Sequence, residues 1–167
     1  VEEWDPEQPM PRTVLTPPAG GSPSPDIPNW CWHEYGNRVG FWRMLKVFDE
    51  FAIPAVLAIN GCAIEAFPPI VQAAVERKWE FIGHGYTQRL LHKETDEEAT
   101  ITKALAQDER FTGRKVRGWM GPGFAQTFDT PDYLKKHGIE YNLDWILDDL
   151  PCWMRTKHGP LVCMPYG

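Results

Sequence analysis

Three groups of side chains in this sequence could move protons or hold a cation. His84 ends the apolar run WEFIGH and precedes Gly85, so its imidazole would project from a strand end while the glycine lets the backbone turn. Imidazole titrates near neutrality, which suits acid–base work or metal ligation; the plainer reading is a hydrogen bond to a neighbouring loop. The segment DWILDD sets Asp144, Asp148 and Asp149 around Trp145 directly behind another strand-like stretch. Carboxylates there could bind a metal, orient a histidine or accept substrate N–H groups, and a tryptophan beside them suits a ring-shaped polar ligand. Solvated loop acids capping the next element are the alternative. Glu2 and Glu3 adjoin Trp4 at the amino end, where spacing alone reads as solvated charge. Glu34, Tyr35, Asn37 and Arg38 read as a polar lead-in to a helix, and His33, His92, His137 and His158 lack ligand-like spacing and read as surface residues.

Those groups need a scaffold that gathers strand ends. Trp4 to Asn29 is dense in proline and glycine and reads as an extended excursion without helix. Val39, Trp42, Met44, Leu45, Phe48 and Phe51 follow helical spacing, and AVLAIN, bounded by Gly61, reads as a buried strand. A helix is expected over 68–77 with proline in its first turn, and a strand over Trp79 to His84. A capping box beginning at Thr95 opens a helix to about Phe111, before Gly113. VRGWM reads as a strand, Thr130 as the cap of a helix with Pro131 at its first position and Gly138 beyond its end. Glu140 to Leu143 and Leu161 to Met164 complete the strands. Alternating strands and helices predict a parallel sheet with helices outside it, an open doubly wound sheet or a barrel, and a ligand site at the carboxyl ends of the strands. Asn60, His84, the loop after Trp119 and the segment 144–149 fall there.

Composition bounds the partners. The 167 residues, 43% hydrophobic and 13% aromatic, suffice for one sizeable core. A net charge of -6 without a Lys/Arg cluster argues against nucleic acid. No apolar run approaches a membrane span, and the acidic, proline-containing amino end does not read as a secretory signal. Four dispersed cysteines without a C-x-x-C pair read as reduced, mostly buried thiols, which suits the cytoplasm.

Taken in order, EYGNRVGFWRML, EFIGHGYTQ, TGRKVRGWMGPG, GIEYNLDWILDDLPCW and LVCMPYG resemble the signature segments of the polysaccharide deacetylase family, which carries a NodB-homology domain, and of its allantoinase-like branch in particular. The resemblance covers nearly the whole chain. It implies an α/β fold, a distorted (β/α) barrel of the NodB type that is incomplete here, with residues 1–167 forming one partial domain: an extended loop over 1–35 and repeated βα units over 36–167. It further implies a hydrolase of carbon–nitrogen bonds other than peptide bonds, deacetylating an N-acetylated sugar or opening a ureide ring such as allantoin. Water would attack an amide carbonyl after activation on a metal or a carboxylate.

On the family pattern Glu2 and Glu3 take the place of the paired acids of the first motif, one a general base and one a metal ligand. His84 takes the first histidine of the second motif, and Trp119, Asp144, Trp145, Asp148 and Asp149 fall on substrate-binding segments. The resemblance implies one divalent metal ion, zinc or similar, held by Glu3 and His84. Gln88, however, stands where a second histidine would share the ion, and glutamine is a weak zinc ligand. The family's fifth-motif histidine has no counterpart, and the family fold continues beyond both ends of the chain, which leaves open whether this polypeptide alone is active. The competing expectation is a non-catalytic carbohydrate- or ureide-binding barrel. The expected partner is a small-molecule or oligosaccharide substrate, and homo-oligomers are common for such a domain.

Overall fold

The computed structural model describes residues 1–16 and 23–166. Residues 17–22, inside the proline-rich stretch, and residue 167 lie outside the described residues.

The expected loop over 1–35 ends earlier than its composition suggests. Helix α1 spans Ile27–Tyr35, because the Asp26 carboxylate accepts from the backbone N–H of Asn29 and Pro28 falls in the first turn, where no donor is needed. A five-residue π-helical turn, Gly36–Gly40, joins α1 to α2, Phe41–Glu50, so the polar residues 34–38 lie within a long helical segment instead of leading into one. The widened turn has a consequence at the site: it carries Asn37, whose Nδ2 donates to the Glu2 carbonyl at 3.2 Å.

Strand and helix then alternate as the pattern predicts: β1 Val56–Ile59, α3 Gly61–Ala66, α4 Pro68–Glu76, β2 Glu80–Gly83, α5 Glu97–Thr112, β3 Gly118–Trp119, α6 Thr130–Lys136, β4 Tyr141–Asn142, β5 Cys152–Thr156 and β6 Gly159–Cys163. The sheet order is β1-β2-β3-β4-β6-β5, with β5 antiparallel to β6 and every other pairing parallel.

Four local expectations need correction. The short helix α3 follows β1 directly, where no amphipathic period announced it. Helix α5 is capped by Asp96, which accepts from Ala99 N–H at 2.9 Å, and not by Thr95. Thr130 is the first residue of α6, and its hydroxyl accepts from Thr127 N–H instead of capping its own helix. Residues 152–156, which are not among the expected strands, form an edge strand paired in a hairpin with β6; an edge strand half in solvent carries only a weak hydrophobic signal.

Two clusters fill the interior. Phe41, Leu45, Leu57, Ile59, Ile70 and Phe81 seat α2 and α4 on β1 and β2, while Ile101, Leu105, Trp119, Leu134 and Leu161 seat α5 and α6 on the other strands. No helix among the described residues is long and apolar enough to cross a membrane.

Candidate active site at the strand ends

The carboxyl ends of β1 to β4 bring together two polar corners. In the first, the segment after Val1 runs beside the end of β1, with Asn60 N–H donating to the Val1 carbonyl at 3.0 Å and Glu3 N–H donating to Asn60 Oδ1 at 3.1 Å. Glu2 thereby reaches His84: its Oε1 lies 3.4 Å from His84 Nε2 and accepts from Gln88 Nε2 at 2.9 Å, and its Oε2 accepts from Trp4 Nε1 at 2.6 Å. His84 Nδ1 bonds the Met120 carbonyl. A carbonyl can only accept, so Nδ1 carries the hydrogen and Nε2 is the atom left for chemistry. His84 is buried, with its side chain 6% exposed.

Burial by itself pushes the Glu2 carboxyl up, but the His84 ring beside it and the hydrogen bond from Trp4 outweigh it and hold the group below the usual carboxylate range. Glu2 is therefore an anion at neutral pH, facing an imidazole.

Glu3 does something different. Of the adjacent acids, Glu2 is the one whose carboxylate meets His84. One Glu3 oxygen is enclosed without a hydrogen-bond partner. Burial first, then the nearby charges of Glu34 and Asp5, raise its carboxyl above the ordinary value. Of the two acids expected beside His84, it is Glu2 whose carboxylate lies next to the ring.

This corner does not suit a tightly held divalent ion. Gln88 presents its amide nitrogen to Glu2, while its Oε1 accepts from Asn60 Nδ2 at 3.1 Å, so the third position offers N–H donors where an ion needs a lone pair. Among the described residues no group of three or more His, Cys, Asp or Glu side chains converges to hold a metal ion.

The second corner lies beyond β3 and β4. Asp144 accepts from Gly121 N–H at 2.8 and 2.9 Å through its two oxygens, and from Gln126 Nε2. A Cβ at Gly121 would stand 2.8 Å from Asp144 Oδ2, so glycine is what allows the carboxylate this close to the backbone. Gln126 also exchanges hydrogen bonds with Asn142 at 3.3 Å and accepts from Trp145 Nε1 through Oε1. Burial pushes Asp144 up to about 6, against the pull of the Gly121 and Gln126 bonds and of His84. Asp144, Trp145, Gln126, Thr127, Phe124 and Phe128 line a cavity of about 330 Å³, with the Phe128 ring 6.5 Å from that of Trp145.

Of the expected site residues, Glu2 and His84 meet in one corner and Asp144 and Trp145 in the other. Asp148 and Asp149 are exposed and outside that lining; Asp148 turns back to accept from Leu150 N–H at 3.2 Å. Trp119, expected at the substrate, is fully buried in the core with its indole against Gly83, where a Cβ would come within 2.6 Å of the ring. His33, expected at the surface, is buried and stacks on Trp4 at 4.5 Å, and His137 pairs with Glu98 at 2.6 Å. Sequence reasoning missed Gln126; its only sequence signal is an amide between two aromatic residues in the loop after β3.

The fold and this pair of corners place the chain among α/β proteins with a polar site at the strand ends. The family model described as polysaccharide deacetylase matches residues 31–142. This chain belongs to the polysaccharide deacetylase family. It is 27% identical over 140 residues to a peptidoglycan deacetylase of Helicobacter pylori, covering 82% of this chain and 47% of that protein. Its structure is similar to that of Puue allantoinase, with a TM-score of 0.78 and 27% identity over 85% of this chain and 48% of the other. A probable polysaccharide deacetylase from Pseudomonas aeruginosa is similar with a TM-score of 0.78 and 25% identity, over 89% and 51% of the two chains. The chain thus spans about half the length of these relatives.

Proposed function

We propose that this chain supplies the catalytic face of a hydrolase that cleaves a carbon–nitrogen bond other than a peptide bond, with the acetamide of an N-acetylated sugar as substrate, residues 1–167 forming part of one domain. The observation that carries this reading is the Glu2–His84 pair, an anion set beside an imidazole whose other nitrogen is held by a backbone carbonyl. Glu2 takes a proton from the attacking water, whose other hydrogen is held by the Nε2 lone pair of His84; as the carbon–nitrogen bond breaks, the proton on Glu2 passes to the departing nitrogen. Asp144 accepts the substrate N–H, and Trp145 with Phe128 covers the flat face of the ligand. No step runs through a metal, because the donor set does not suit one.

Gln88 favours a second substrate within the same chemistry. An amide donor in place of a second histidine favours a ligand rich in carbonyl groups, and a structural neighbour is an allantoinase. The ring amide of a ureide is that second reading.

Hydrolysis of a short N-acetylglucosamine oligomer and of allantoin by the full-length protein, with and without a chelator, separates these. Chelator-resistant acetate release supports the main reading, and chelator-resistant allantoate release supports the second. Binding of either compound without turnover overturns both in favour of a non-catalytic barrel.

A further inference from the structure

Two cysteines on the consecutive strands of one hairpin, without a C-x-x-C motif, become neighbours in the sheet. Cys152 of β5 stands directly opposite Cys163 of β6 in the antiparallel register, and their thiols lie beside each other. On its other side Cys163 is level with Asn142 of β4, so the three residues form a row across three adjacent strands. Val162 and Met164 donate their N–H groups to β4, which turns the backbone groups of Cys163 toward β5 and makes Cys152–Cys163 a hydrogen-bonded pair. Such pairs hold their Cα atoms about 5.5 Å apart, inside the range a disulfide spans.

We propose that Cys152 and Cys163 are a thiol–disulfide modification site, closed by a small-molecule disulfide oxidant such as oxidised glutathione and opened by a thiol reductant. Cys152 is partly exposed and Cys163 is buried, which sets the order of events. The Cys152 thiolate attacks a sulfur of the oxidant, forming a mixed disulfide and expelling one small thiolate. Cys163, deprotonating as it reacts, then attacks the Cys152 sulfur, and the second small thiolate leaves. The protein loses two electrons and two protons, and one small disulfide becomes two thiols.

Burial, with the adjacent thiol of Cys152, pushes Cys163 up to about 11, so the second step is slow at neutral pH and speeds up in alkali. The bond would tie the far end of the segment that carries Asp144 and Trp145 to the β4–β6 pair. Neither register nor burial depends on the hydrolase reading, so this site stands or falls separately.

The test is peptide mapping of the full-length protein after exposure to oxidised glutathione at alkaline pH, with free thiols alkylated. A linked Cys152–Cys163 peptide about 2 Da lighter than the two reduced peptides is expected, reversed by dithiothreitol. Cys163→Ala should instead stop at a glutathione adduct on Cys152, and Cys152→Ser should leave Cys163 free. The thermal midpoint should rise on oxidation of the unaltered protein and stay unchanged in Cys152→Ser, which keeps the buried cysteine in place. Separate adducts on Cys152 and the exposed Cys31 without a linked peptide, or Cys163 paired elsewhere, would overturn the proposal.

Discussion

The two corners of the site are built in opposite ways. Glu2 comes from the amino end while His84 and Gln88 share the segment after β2, and Glu2 and His84 each hold partners that leave one atom facing the other. Asp144, Trp145 and Gln126 come from two neighbouring loops and border an open cavity with an exposed aromatic edge. On the proposed mechanism, long-range assembly fixes a proton-transfer geometry that tolerates little movement, whereas a local cluster beside a cavity can adapt to a ligand. Chemistry should therefore fail when the first corner is altered, and affinity when the second is.

The largest effect is expected at His84. His84→Ala should lower kcat by about 10³-fold with little change in KM, and Glu2→Gln by about 10²-fold, both measured by steady-state hydrolysis. If either change acts only on KM, the first corner binds and does not catalyse. In the second corner, Trp145→Ala should raise KM about tenfold while kcat holds, since the ring supplies contact area and no proton.

Asp144 gives the comparison a pH signature. Below its ordinary value the carboxyl is protonated whether the chain is folded or not; between there and about 6 the folded carboxyl keeps its proton while the unfolded one releases it. Rising pH through that window therefore costs stability, and Asp144→Asn should flatten the change in urea midpoint between pH 4 and pH 7. A slope unchanged in the variant would assign it to another group.

The smallest effect separates the adjacent glutamates. Glu3→Gln should leave turnover within about twofold, because its carboxyl does not reach His84 and an amide suits its enclosed position. A loss as large as that of Glu2→Gln would restore Glu3 to the catalytic pair.

Much of the architecture was legible because periodicity and punctuation are local. The run AVLAIN, the prolines opening α4 and α6, and Gly113 and Gly138 behind their helices announced the βα alternation and so the parallel sheet. His84 at a strand end was legible for the same reason. The helix α1 and the edge strand β5 were not: proline density masked a helix whose start needs only Asp26 and a tolerant first turn, and β5 is defined by its partner β6 more than by its own pattern.

By itself, the sequence determined the family, the strand ends and the residue types available there, because each rests on short-range order along the chain. Only the tertiary structure decided between equivalents. It set Glu2, and not Glu3, beside His84 where Asn60 holds the amino-terminal segment, and Asp144, and not Asp148 or Asp149, where its two oxygens reach Gly121 N–H. It also buried Trp119, which reads as a ligand-facing residue, against a glycine on the next strand. Each choice depends on which atoms meet across long separations in sequence, and no local pattern of residues encodes that.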